Sequence, residues 1–121
     1  MKYVVTGGAG FIGSNIVKKL VSRGDDVVVI DNLNTGKEEN LESVRGKILF
    51  LKDNILNIDL LKKHTSNIDG MFHQAALASV QDSFSKPEEY NDVNVNGTEN
   101  ILKLAKKNNF KVVYASSSSV Y

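Results

Sequence analysis

Apolar and polar positions along this chain follow two periods that replace one another in turn. Lys2–Thr6 is a short β-rich run that stops at glycines. From Phe11 to Arg23, Ile12, Ile16 and Leu20 recur every fourth position beside Val17 and Val21, while Lys18, Lys19 and Arg23 take the other side. That spacing predicts an amphipathic helix, with Gly24 as the residue just past its end. Val27-Val28-Val29-Ile30, within Asp26–Ile30, is a continuous apolar run of the kind that suits a parallel strand buried on both faces. Asp31–Asn40 is polar and reads as a loop. A third strand is predicted over Lys47–Leu51, a short helix over Leu56–His64 and a fourth strand over Asp69–His73. A mostly helical stretch follows from about Pro87 to Lys107, with Val95, Ile101, Leu102, Leu104 and Ala105 apolar and Lys106-Lys107 suited to the negative end of a helix. Phe110–Ala115 is a fifth strand. Strands alternating with helices predict βαβ units, hence an α/β fold with a parallel sheet of about five strands, helices on both faces and right-handed crossovers.

Composition narrows this little. A chain of 121 residues is one domain's length, and 41% apolar with 24% charged residues is ordinary for a globular chain. The net charge of +1 offers no basic field for nucleic acid. With no cysteine there is neither a disulfide frame nor a thiolate metal site, which fits a cytoplasmic protein. No apolar run approaches the ~18 residues of a membrane span, and no signal-peptide core precedes the glycines. The chain stops just past the fifth strand, where a doubly wound sheet ordinarily continues. It therefore reads as the N-terminal part of a longer protein, with a complete minimal module as the alternative.

The chemistry begins at Gly7-Gly8-Ala9-Gly10-Phe11-Ile12-Gly13, which follows a strand and opens a helix, the context that a dinucleotide site requires. Gly7 permits the tight turn, Gly10 lets backbone approach a diphosphate, and Gly13 lets helix and strand pack closely. Amides near Phe11 and Ile12 would then face the phosphates at the positive helix end. The spacing is G-x-x-G-x-x-G with an extra Gly8, and a ligand-free glycine turn is the alternative. Asp31 closes the second strand, 18 residues past Gly13. A carboxylate there accepts from both ribose hydroxyls and repels a 2′-phosphate, favouring NAD over NADP; a loop-capping Asp is the alternative. Asn54 and Ile55 follow the third strand, where Asn could bond the adenine amino group and Ile could pack on the ring, or both could be ordinary loop residues. His73 could be an acid–base group; the preferred reading is a strand-end His hydrogen-bonded to backbone. Two histidines are too few for a usual zinc site, and no metal is expected. Ser116-Ser117-Ser118-Ser119 would place hydroxyls at the carboxyl end of the fifth strand, where one could bond a reacting oxygen, or would form a plain serine-rich turn. Glu38-Glu39 is expected on a solvated helix start.

Five blocks together resemble the extended short-chain dehydrogenase/reductase family. They are Thr6–Ser14, Asp31–Gly36, His73-Gln74-Ala75-Ala76, Asn94-Val95-Asn96-Gly97-Thr98 and Ser116–Tyr121, in family order across the whole chain. Within that family the chain is most similar to nucleotide-sugar 4-epimerases of the UDP-glucose or UDP-N-acetylglucosamine type, His73 through Ser79-Val80 supporting this most. The resemblance implies a Rossmann-type domain with a tightly held NAD cofactor, a UDP-hexose substrate, and a place in galactose metabolism. In such enzymes hydride leaves sugar C4, the 4-ketose turns over, and hydride returns to the other face. A Tyr deprotonates the 4-hydroxyl, a Lys lowers that Tyr's pKa, and a Ser or Thr bonds the same oxygen.

Aligned back from Val120-Tyr121, the catalytic Ser falls on Ser117. Cofactor contacts fall on Gly7, Gly10, Phe11, Ile12, Asp31, Asn32, Asn34, Thr35, Gly36, Asn54, Ile55, Gln74, Ala75, Ala76 and Asn94. Ala78, Ser79 and Ser117 would face the substrate. Full-length relatives often dimerise through helices, so a homodimer is a further expectation; nucleic-acid and membrane partners are not. Where the family usually has Asp for the adenine contact, this chain has Asn54 beside Asp53. No Tyr-x-x-x-Lys pair is present, so the 121-residue chain alone is expected to bind NAD weakly or not at all and not to epimerise. A nucleotide-sugar 4,6-dehydratase or reductase of the same family is the nearest alternative, disfavoured because Ser117-Ser118-Ser119 stand where dehydratases carry Thr-Asp-Glu. A non-catalytic dinucleotide-binding module is the other.

Overall fold

The computed structural model describes residues 1–33, 36–74 and 96–114. Five strands, β1 (Lys2–Thr6), β2 (Asp26–Ile30), β3 (Ile48–Leu51), β4 (Gly70–His73) and β5 (Lys111–Tyr114), form one sheet in the order β3-β2-β1-β4-β5. Every pairing is parallel, with Thr6 opposite both Ile30 and His73. Helix α1 (Phe11–Ser22) joins β1 to β2, α2 (Ile58–Thr65) precedes β4, and α3 (Gly97–Asn108) precedes β5. The α/β sheet with helices on both faces is thus present as the sequence predicts. The chain moves from β1 outward to β3, then crosses back to β4. The order of connections therefore reverses beside β1, and ligands of such sheets bind at the carboxyl ends of the strands flanking that reversal.

Side-chain alternation sorts the strands into two cores. Val4, Val28, Ile30 and Met71 pack with Leu61 of α2 and with Ile101 and Leu104 of α3. Val5, Val27 and Val29 point the other way and pack with Val17 and Leu20 of α1 and with Leu41 and Val44. Val27 through Ile30 are all buried, which is why β2 carries no polar alternation. Arg23 caps α1 and Gly24 follows at φ +84°, the left-handed turn that glycine makes without strain. Asn57 caps α2, its side chain accepting from the Leu60 amide.

The polar stretch after β2 does not stay a loop to Asn40: a run of 3₁₀ turns covers Glu38–Lys47. Its only buried residues, Leu41 and Val44, are three apart, and a helix with three residues per turn stacks those positions on one side. Glu38-Glu39 do begin a helix. The predicted strand and helix ends otherwise shift by one or two residues, and the part of the long helical stretch before Asn96 lies outside the described residues.

Candidate functional site

Four adjacent strand ends build the site. β1 runs into the glycine loop, β2 into Asp31, β3 into Asp53-Asn54 and β4 into Gln74. Backbone bonds extend the sheet one step past the strands and hold these ends level. Gly7 N–H donates to Ile30 C=O at 2.8 Å, Asp31 N–H to Leu51 C=O at 3.1 Å, and Asp53 N–H to Asp31 C=O at 3.2 Å. On the other side, Gln74 N–H donates to both the carbonyl and the hydroxyl of Thr6, at 3.0 and 3.1 Å.

The glycines of the loop act for separate reasons. Gly7 has φ +69°, the turn conformation that side chains resist. A Cβ on Gly13 would lie 2.2 Å from the Gly7 carbonyl oxygen, so α1 can start against the loop only because that position is bare. Gly8 is bare for a third reason: its Cβ would meet Val29 Cγ1 at 2.6 Å, in the core under the loop. A Cβ on Gly10 would meet only the Gly7 carbonyl oxygen, at 3.4 Å, and otherwise open space. That open side adjoins the first turn of α1, where the Phe11, Ile12 and Gly13 amides have no acceptor among the described residues. Unpaired amides at the positive end of a helix make an anion site. No acidic side chain occupies that first turn to compete. The Phe11 and Ile12 side chains stand out, 83% and 62% exposed, and line an apolar groove of about 420 Å³ along α1 toward Phe72. What these two residues offer a diphosphate is therefore backbone.

Asp31 is buried. Its carboxylate accepts from the Ala9 amide at 2.9 Å and from the Leu33 amide at 2.7 Å. Two amide bonds leave lone pairs on a carboxylate, so it retains capacity for ribose hydroxyls. Gly36 packs against it, since a Cβ there would lie 2.9 Å from Asp31 Oδ2 and from the Ala9 carbonyl carbon. Asn32 is exposed at the same edge. Asn54 turns its Oδ1 to the Leu56 amide at 3.0 Å, and Ile55 is 3% exposed inside the first core. Ile55 can therefore meet a ligand only through its backbone. Asn34, Thr35, Ala75, Ala76, Ala78, Ser79, Asn94 and Ser117 lie outside the described residues.

His73 is 2% exposed. Nδ1 is 2.6 Å from the Thr6 hydroxyl and Nε2 is 3.0 Å from the Thr98 hydroxyl in the first turn of α3. Burial pushes its pKa down to about 4, so the ring is neutral at physiological pH. The ring is thus tied in, as the preferred reading had it, but the partners seen are hydroxyls. Thr6 and Thr98 stand in two of the blocks that carry the family resemblance, but nothing local in the sequence pairs either with His73; the strand register and the helix position bring them to it. Asn40 carries no mark in the sequence, yet its Nδ2 donates to the Ala9 carbonyl at 2.8 Å. Among the described residues no group of acidic or histidine side chains could hold a metal, and no helix is long and apolar enough to cross a membrane.

A parallel sheet that presents an open, amide-lined glycine loop beside a buried strand-end carboxylate defines a dinucleotide-binding domain. The family model for the NAD-dependent epimerase/dehydratase family matches residues 3–121. This chain belongs to that family. It is 39% identical over 118 residues to a UDP-N-acetyl-alpha-D-glucosaminuronate decarboxylase of Bacillus cytotoxicus, covering 98% of this chain and 37% of the relative. A UDP-glucose 4-epimerase of Lactobacillus helveticus is 39% identical over 124 residues, covering 100% and 37%. Among solved structures, the UDP-glucose 4-epimerase of Bifidobacterium longum in complex with NAD+ and UDP superposes with a TM-score of 0.89 at 34% identity, over all of this chain and 38% of that one. The chain therefore spans little more than a third of the length of these relatives.

Proposed function

We propose that this chain is the NAD-binding portion of a UDP-sugar 4-epimerase of the UDP-glucose/UDP-galactose type. The observation that carries the cofactor assignment is Asp31, buried and fixed on the Ala9 amide one residue from the open side of the glycine loop. The first-turn amides of α1 would take the diphosphate, with Gly7 shaping the turn and Gly10 keeping the approach clear. Asp31 would accept from the adenosine ribose, beside Asn32, Asn34, Thr35 and Gly36. Asn54, the Ile55 backbone, Gln74, Ala75, Ala76 and Asn94 would complete the contacts. When bound, NAD supplies a reversible hydride acceptor for sugar C4. Ser117 would donate a hydrogen bond to the reacting oxygen, with Ala78 and Ser79 facing the sugar. The block order from Thr6 to Tyr121 and the UDP-glucose 4-epimerases among the relatives support this reading.

A second reading has a specific basis: the Bacillus cytotoxicus relative is a decarboxylase of a UDP-sugar acid. It uses the same cofactor domain and differs in what happens to the sugar. Titration with NAD and NADP of the chain joined to a family C-terminal part tests the domain assignment: NAD should bind at least about tenfold better than NADP. Equal affinity for both would overturn the role given to Asp31. For the reaction, proton NMR of the protein with UDP-glucose should show UDP-galactose once the chain is joined to a family C-terminal part. Carbon dioxide release from UDP-glucuronate instead would favour the decarboxylase.

A further inference from the structure

Ala9 is the one residue with a side chain among Gly7, Gly8 and Gly10, and it is fully buried. Both its peptide groups are occupied from outside the loop. Its N–H donates to Asp31 Oδ2 at 2.9 Å. Its carbonyl accepts from Lys37 N–H at 3.1 Å and from Asn40 Nδ2 at 2.8 Å, which fills both lone pairs. Because the acceptor is a carbonyl, the Asn40 amide must turn its NH2 toward Ala9. Asn40 lies in the first turn of the 3₁₀ helix, 31 residues from Ala9, and its own N–H is bonded to the Lys37 carbonyl at 3.0 Å. Gly36 packs on the same spot from above. Residues 36–40 and the glycine loop are therefore joined at one node, and Asn40 is the side chain that holds it from the helix side.

We propose that Asn40 is a positioning residue for the dinucleotide, holding residues 36–40 against the glycine loop before any ligand arrives. This rests on the NAD-binding reading of the site. Glycine-rich backbone is costly to order, and a site ordered in advance does not charge that cost to the ligand. Asn40 acts through Ala9: it fixes the peptide that carries the Asp31 contact on one side and leads into Gly10 on the other. Asp31 thereby faces the ribose position without having to be drawn there.

The isosteric variant Asn40→Asp sets a carboxylate oxygen against the Ala9 carbonyl and loses the donor; Asn40→Ala leaves the carbonyl with the Lys37 N–H alone. Amide exchange by NMR on the ligand-free chain reads closure. In Asn40→Asp the Ala9 and Lys37 amides should exchange about tenfold faster, while the Val17 and Leu20 amides of α1 keep their protection. NAD affinity, measured on the same samples well below the melting temperature, should weaken about tenfold in Asn40→Asp and about threefold in Asn40→Ala. Asn40→Gln, which retains the donor, should recover part of it. Unchanged exchange at Ala9 and Lys37 would overturn the proposal. So would faster exchange with NAD affinity held within about twofold, since that is the signature of a purely structural bond. If Asn40→Asp fails to fold, Asn40→Ala decides by the same two readings. Should the unaltered chain bind no NAD at millimolar concentration, the same variants are titrated in the chain joined to a family C-terminal part; no NAD binding there overturns the cofactor reading, and NAD binding there that Asn40→Asp leaves within about twofold overturns the role given to Asn40.

Discussion

Replacing Gly13 by alanine sets two arguments of opposite sign against each other. Gly13 is the third residue of α1, and exchanging glycine for alanine within a helix ordinarily stabilises by about 1 kcal/mol. Yet the added Cβ would lie 2.2 Å from the Gly7 carbonyl oxygen and 2.9 Å from both Gly7 C and Gly8 Cα. All three are backbone atoms of a turn already fixed by its bond to Ile30, so no side chain can rotate away. Relief requires moving the start of α1 off the loop by roughly 1 Å, and overpacking of this kind costs about 3 kcal/mol. Net of helix propensity, about 2 kcal/mol of stability should be lost. For a chain of this size that is a fall of about 8 °C in melting temperature. Thermal unfolding followed by circular dichroism measures it. Gly46→Ala is the control: it is exposed, has nothing within 4 Å of its Cβ and should gain about 0.5 kcal/mol. Gly24→Ala has the same open space but φ +84° and should lose about 1 kcal/mol through backbone strain alone. A Gly13→Ala protein melting at or above the parent temperature would refute the close-approach argument.

His73 gives a pH dependence. Its native pKa of about 4 lies below the unfolded value of 6.5, so the unfolded chain takes the proton first. The contribution is complete above pH 6.5 and is lost as pH falls toward 4, by up to about 3 kcal/mol. Urea denaturation at several pH values should show that limb, and His73→Gln should flatten it. Asp31→Ala strands the Ala9 and Leu33 amides; it should cost about 2 kcal/mol in denaturant and reduce the preference for NAD over NADP in paired titrations. Asn109 ends α3 at φ +56° and is exposed, so Asn109→Gly should raise the melting temperature by a few degrees, and Asn109→Val should lower it.

Much of the sheet was legible because its signals are local. Val27 through Ile30 announce a strand buried on both faces, and the four-residue recurrence of Ile12, Ile16 and Leu20 announces α1. The turn at Gly7 and the close approach at Gly13 follow from glycine at those positions. What escaped was set by distant partners. Leu41 and Val44 make too short a pattern to signal a helix, and only their burial against α1 and β3 reveals it. Asn40 looks like any polar loop residue until the fold brings Ala9 to it. The hydroxyl partners of His73 come from β1 and α3, 67 and 25 residues away. Ile55 looked free to stack on a ring because an apolar residue after a strand carries no mark of which side the core will claim.

The sheet order has a consequence for biosynthesis. β1 is the first strand along the chain yet the middle one of the sheet, flanked by β2 and β4. Its second neighbour begins only at Gly70. At roughly 5–20 residues per second, Lys2–Thr6 waits about 3 to 14 s for the strand that seals its other edge. The Thr6 hydroxyl has neither His73 nor the Gln74 amide to bond until then. The partners of the glycine loop, Ile30, Asp31, Lys37 and Asn40, are all available early; what arrives late from β4 is the pairing of Thr6, the strand residue that leads into the loop. A nascent chain stalled between β3 and β4 would carry a glycine loop on an open sheet edge, which is the kind of exposed strand that chaperones and stray strands recognise.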